Sequence, residues 1–235
     1  MDYFDFQLFN EDAFLEDLDY SRYFGGERKT QQSGQLQRGT QTQQMGKTRR
    51  VGYLKDDRGV YKVAFRGVGG CAIFSEKPDY EKFLFLLDKF AKQYGSVVYG
   101  FVLMTNHAHF LVRSTCTEKL FSQVIRAYIG YYCARHKSSG KFIALPPAIS
   151  EVRRVDWQVK ELMYMFNNPV LANMVGKWSA YPYSSYNFYT EKGSVLSKFI
   201  NVDTGLVTRN FPSFKQFRSA LRKKLRSEQS LKSIK

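Results

Sequence analysis

The chain has little cysteine and little histidine, and no long apolar run. Its three cysteines (Cys71, Cys116 and Cys133) are odd in number, and none forms a CxxC pair. That argues against a disulfide framework and against a thiolate zinc cluster, and it points to a reducing compartment. No stretch approaches the ~20 apolar residues of a membrane span. The start, MDYFDFQLFNEDAFLED, lacks the basic-then-apolar order of a signal peptide. The expectation is a soluble, cytoplasmic protein with no membrane partner.

Acidic residues are also scarce: 21 Asp and Glu stand against 36 Lys and Arg, for a formal charge of +15. They are unevenly placed, because residues 1–27 hold eight acids and one base, a net of −7. Subtracting that −7 from the whole leaves +22 on residues 28–235. A body so basic fits a polyanionic partner, nucleic acid first. What the chain has in abundance is aromatic side chains, with 16 Tyr and 20 Phe. They supply core volume or stacking surfaces.

The chain divides by composition. Residues 1–50 form an acidic leader followed by a Gln-rich linker (RKTQQSGQLQRGTQTQQMGKTRR) with almost nothing to bury, which reads as disorder. The folded body begins near Val51. VYKVAF (60–65) reads as a strand, and YEKFLFLLDKFAKQYG as a helix that Asp79 caps and Gly95 ends. VVYGFVLM (97–104) and HAHFLVRS (107–114) read as neighbouring antiparallel strands joined at Thr105-Asn106. Glu118 to Arg135 is helical in pattern, Lys137 to Ile149 reads as a loop, and Asp156 to Asn167 as a helix closed by Pro169. FKQFRSALRKKLRS is an amphipathic helix within a basic extension, residues 191–235. The order predicts an α+β domain over residues 51–190, an antiparallel sheet with helices packed on it.

Two of the three histidines, His107 and His109, are separated by one residue in a strand-like segment. Side chains alternate along a strand, so both imidazoles project from one face and Ala108 and Phe110 from the other. Two imidazoles so placed can share a divalent cation, although packed or surface histidines give the same pattern. In the helix near 156–168, Tyr164 and Asn168 are four apart and share a face, with Lys160 one turn earlier. A phenol titrates near ~10 and is a weak nucleophile unless a cation favours its phenolate. Periodicity alone does not select Tyr164 among the tyrosines.

YEKFLFLLDKFAKQYGSVVYGFVLMTNHAHFLVRS and MYMFNNPVLANMVGKWSAYPYSSYNFY, in that order, resemble two blocks of the REP-associated tyrosine transposases. These belong to the HUH (His-hydrophobic-His) single-tyrosine nucleases. The second block matches that family's Tyr-x-x-x-Asn-Pro-Val and Tyr-Pro-x-Ser-Ser-Tyr. The resemblance implies a ferredoxin-like (RRM-like) core carrying the HxH motif on its sheet, with a C-terminal helical extension. It implies His107, His109 and Asn168 as ligands of Mg²⁺ or Mn²⁺ and Tyr164 as the nucleophile; Lys160, read from its place one turn earlier on the same helical face, is the candidate support of that nucleophile. It further implies cleavage of single-stranded DNA beside hairpins through a 5′-phosphotyrosine, by a monomer or a homodimer. Arg66, Arg113, Arg126, Arg135, Arg222, Lys223, Lys224 and Arg226 are candidate DNA contacts. The chain departs from the family at Thr105, where proline is common, and in the loop ALPPAIS, which lacks the usual arginine. The rival expectation is a catalytically silent protein that holds hairpin DNA or RNA.

Overall fold

The computed structural model describes residues 58–138, 141–190 and 192–232. The acidic leader and Gln-rich linker, expected over residues 1–50, lie outside the described residues. Four strands form one sheet: β1 (Gly59–Arg66), β2 (Val97–Leu103), β3 (His107–Ser114) and β4 (Ala148–Glu151). Their order across the sheet is β2-β3-β1-β4, and every neighbouring pair is antiparallel. Helix α1 (Lys77–Gln93) joins β1 to β2, and α2 (Thr117–His136) joins β3 to β4. This is the ferredoxin-like arrangement of two split βαβ units.

One face of the sheet carries the main aromatic core. Phe65 and Phe110 stack at 5.7 Å, and Phe110 also meets Phe83 of α1 at 5.6 Å and Phe121 of α2 at 5.1 Å. All four are essentially inaccessible to water. Both helices therefore cover the face opposite the two histidines. The sequence's third histidine belongs here: His136 Nε2 lies 3.0 and 3.1 Å from the carboxylate of the buried Asp79, tying the end of α2 to the start of α1.

Helix α1 begins two residues before Asp79 rather than at it. Glu76 is the N-cap, and the Asp79 carboxylate accepts from Ser75 N (3.0 Å) and Glu76 N (2.9 Å). Asp79 thus satisfies the helix start from inside the first turn, the reciprocal half of a capping box. At the other end Gly95 adopts φ +59°, the left-handed conformation expected of a terminating glycine.

Helix α3 (Val155–Leu171) lies across the other face of the sheet, over β2 and β3. It runs past Pro169, the residue expected to end it. The proline falls in the last turn, so the one backbone bond it removes is that to Met165 O, and Ala172 N and Met174 N still bond back to Asn168 O and Pro169 O. The fourth strand is a further difference, because Ala148 and Ile149 fall in β4 and not in a loop. Gly100 permits the close approach of α3: a Cβ there would stand 2.3 Å from Leu162 Cδ1.

Beyond α3, the chain seals the exposed edge of β2. Leu103 N donates to Tyr183 O (2.9 Å), and Phe101 N donates to Ser185 Oγ (2.9 Å). The hydroxyls of Tyr181 and Tyr189 donate to the carbonyls of Leu103 and Tyr99. The Tyr-Pro-x-Ser-Ser-Tyr block therefore satisfies a strand edge that would otherwise be open to pairing. A short helix α4 (Gly205–Thr208) leads into α5 (Phe214–Lys232), whose Phe217 packs against Phe166 of α3 at 6.2 Å. No described helix is long and apolar enough to cross a membrane.

Candidate active site

Strand alternation puts His107 and His109 on the face turned toward α3. The two rings stand 5.2 Å apart, nearly perpendicular. The Tyr164 ring meets His109 edge-on at 5.6 Å. Helix spacing puts Asn168 one turn beyond Tyr164, where it is 2% exposed. Strand β3 and helix α3 therefore bring His107, His109, Tyr164 and Asn168 together, though the four span more than fifty positions in sequence.

Burial governs the electrostatics of this cluster. It lowers the pKa of His109 to about 3, helped by His107 and Lys62 nearby. His107 is lowered by burial too, and hydrogen bonding with Asn168 partly opposes this. Both imidazoles are therefore neutral near pH 7, with nitrogen lone pairs available. Burial raises the pKa of Tyr164; hydrogen bonding with Asn168 opposes that, while the charges of Glu228 and Glu161 add to it. The phenol is a poor nucleophile until a positive charge arrives.

Asn168 lies close enough to His107 and Tyr164 to bias both, yet its buried Nδ2 has no hydrogen-bond partner. Amide O and N are told apart only by their partners, so a turned amide presents Oδ1 at the orphaned position. Two neutral imidazoles, and an Asn168 amide that presents its oxygen at the orphaned position when turned, suit a divalent cation. Among the described residues, no group of three or more His, Cys, Asp and Glu could hold a metal ion. The candidate set is thus two histidines and an amide.

Supporting residues surround the cluster. His107 Nδ1 is 2.8 Å from Asn106 Oδ1, which fixes the ring's orientation. Lys62 Nζ of β1 pairs with Glu161 Oε1 of α3 at 3.2 Å, linking the helix to the sheet beside His109. Asn167 is fully buried; it accepts from Trp178 Nε1 (2.9 Å) and donates to Glu228 Oε2 (2.8 Å). That bond ties α5 to the back of the helix that carries Tyr164. Asn106 and Glu161 are not among the residues expected at the site; adjacency to the motif and the i−3 spacing from Tyr164 are the signals that could have found them. Nothing in the sequence pointed to Asn167 or Lys62.

The remaining candidates are dispersed. Lys160 is exposed, pairs with Asp156 at 3.8 Å and lies over Trp157, so Glu161 rather than Lys160 neighbours Tyr164. Arg66 pairs across the sheet with His107 and is exposed at the rim of the same face. Arg113 shares that face by alternation and lies 5.9 Å from the Tyr99 ring. Arg126 and Arg135 lie on α2, so the sheet separates them from the histidines; Arg135 also pairs with Glu76 at 2.6 Å. Arg222, Lys223 and Arg226 are exposed on α5, and Lys224 pairs with Glu228 at 2.8 Å.

No protein-family model and no curated protein matches this sequence. Among the solved structures it resembles is a REP-associated tyrosine transposase bound to a REP hairpin. The two are 15% identical with a TM-score of 0.48, over 68% of this chain and 93% of that one. A likeness this distant leaves the chemistry of the site to its own residues.

Proposed function

We propose that the chain is a metal-dependent nuclease and strand-transfer enzyme that cuts single-stranded DNA beside hairpins through Tyr164. The observation that carries this reading is the Tyr164 ring set against His109, with the orphaned amide of Asn168 buried in the same cluster. The resemblance of two sequence blocks to the REP-associated tyrosine transposases supports the choice of hairpin-flanked DNA. The charge of +22 beyond residue 27 suits a phosphate backbone.

His107, His109 and Asn168 would hold Mg²⁺ or Mn²⁺. With two nitrogen donors, Mn²⁺ is the better match. When bound, the cation would supply Lewis-acid polarisation of the scissile phosphate and a positive field at the site. The Tyr164 oxygen attacks phosphorus and forms an O–P bond, while the bond from phosphorus to the 3′-oxygen breaks. The phenolic proton passes to water and the departing 3′-oxygen takes one up, leaving a 5′-phosphotyrosine and a free 3′-hydroxyl. The phosphodiester is exchanged rather than hydrolysed, so a second 3′-hydroxyl can reverse the step without ATP. Asn106 holds the His107 ring in orientation, and the Lys62–Glu161 pair holds α3 against the sheet.

Incubation of the full chain with hairpin-tailed single-stranded DNA and Mn²⁺ tests this reading. The expected product is an adduct that survives denaturation, is abolished by chelation and is absent in Tyr164→Phe. An adduct that persists in Tyr164→Phe refutes the nucleophile. Tight binding with no adduct makes the chain a silent hairpin-binding protein.

A further inference from the structure

Helix α3 carries one long stripe of side chains at spacings of four, three and four: Trp157, Glu161, Tyr164 and Asn168. Burial deepens along it, from Trp157 at 56% exposed, through the half-buried Glu161 and Tyr164, to Asn168 at 2%. The stripe therefore leads from open solvent down to the candidate site. At ~1.5 Å rise per residue, Trp157 and Tyr164 are about 10 Å apart along the axis, roughly three stacked nucleotides at 3.4 Å each.

A tryptophan this exposed is unusual, because the side chain gains most from burial. Among the described residues Phe85 is the other exposed aromatic of note, but it lies on α1, on the side of the sheet away from the histidines. The Lys160 ammonium stands 5.9 Å from the indole centroid, and Arg153 and Arg154 precede Trp157 by four and three residues in the sequence. Arg153 pairs with Glu151 at 2.7 Å, and Arg154 and Lys160 both pair with Asp156, all in solvent. Exposed pairs of this kind are weak, so a phosphate can compete for the cations. Within the stripe, the Glu161 charge is already answered by Lys62.

We propose that Trp157 is a stacking platform for an unpaired base of the strand that runs into the Tyr164 site, with Arg153, Arg154 and Lys160 meeting the flanking phosphates. An aromatic face between cations is the arrangement that binds single strands without reading sequence, since every base offers a π-face. A paired duplex keeps its bases stacked on one another and gains nothing from the indole. The inference rests on the nuclease reading for its choice of strand, but not for the stacking itself.

The test is anisotropy of a labelled oligothymidylate, and of a blunt duplex of the same length, titrated with the full chain. Trp157→Ala should weaken oligothymidylate binding about tenfold and leave duplex binding unchanged. Trp157→Phe, which keeps a ring, should recover most of the loss. Unchanged single-strand affinity in Trp157→Ala overturns the proposal. So does an equal loss on both DNAs, or an effect confined to self-association of the protein. A Tyr164-dependent adduct together with normal binding by Trp157→Ala would remove the platform and keep the nuclease. Weakened single-strand binding without any adduct would do the reverse.

Discussion

Replacing Gly100 with alanine tests whether α3 is pressed onto the sheet as closely as the site requires. The new Cβ would lie 2.3 Å from Leu162 Cδ1, 3.2 Å from Ser185 Oγ and 3.7 Å from Met165 Cε. Carbon atoms pack at ~3.5–4.0 Å, so Leu162 must retreat by more than about 1 Å. Leu162 is fully buried and has no solvent to move into, so a rotamer or the helix must give. Overpacking of this kind costs ~1–3 kcal/mol. Alanine stiffens the unfolded chain and returns ~0.4–1 kcal/mol. The expected net loss is about 1–2 kcal/mol, read as a lower urea midpoint with an unchanged slope. Leu162→Ala removes the clashing atom, so in that background Gly100→Ala should cost less, with a coupling of about 1 kcal/mol or more. Because Tyr164 follows Leu162 by two residues, the same shift would draw it from His109. A neutral or stabilised Gly100→Ala, or additive effects in the pair, would refute this packing.

Acidification should destabilise the metal-free protein through His109, whose pKa is about 3 when folded and ~6.5 when unfolded. Between those values only the unfolded chain binds the proton, so stability falls as pH drops, by up to ~1.4 kcal/mol per unit. Urea titrations at about pH 7 and about pH 5 should differ by roughly 2 kcal/mol from this group, and by less in His109→Gln. Equal differences in both proteins would contradict it. Asn167→Ala leaves Trp178 Nε1 without its acceptor and Glu228 Oε2 without its amide donor, although Lys224 still pairs with Oε1, for an expected loss of ~2–4 kcal/mol. That corresponds to a melting temperature lower by roughly 5–15 °C; an unchanged transition would show that α5 does not depend on this bond. Asn168→Asp should tighten Mn²⁺ binding, measured calorimetrically, because a carboxylate replaces an amide beside two imidazoles. No change in affinity would remove residue 168 from the proposed ligand set.

The strongly periodic segments were legible in the sequence. Strands β1 to β3 and helices α1 and α2 fall within a few residues of their expected limits, and the shared face of His107 and His109 follows from strand alternation alone. Strand β4 was not legible, because its four residues, AISE, none of them buried, pair on one side only and carry no alternation. Lys160 and Glu161 stand four and three residues before Tyr164, both proper neighbours on a helix. The side of α3 that the sheet covers decides between them, and no local pattern records that. The tyrosines at 181 and 189 illustrate the same limit: their hydroxyls serve a strand edge some eighty residues earlier, visible only once β2 is known to be the edge. Tyr164 was singled out by resemblance of its block and not by spacing, and the fold places its ring against His109.

The most direct measurement is mass spectrometry of the peptide that carries DNA after reaction with hairpin-tailed single-stranded DNA and Mn²⁺. The account predicts a 5′-phosphate ester on the peptide containing Tyr164, with the released fragment ending in a 3′-hydroxyl. Attachment to any other tyrosine, or cleavage that leaves no protein-linked phosphate, would contradict it.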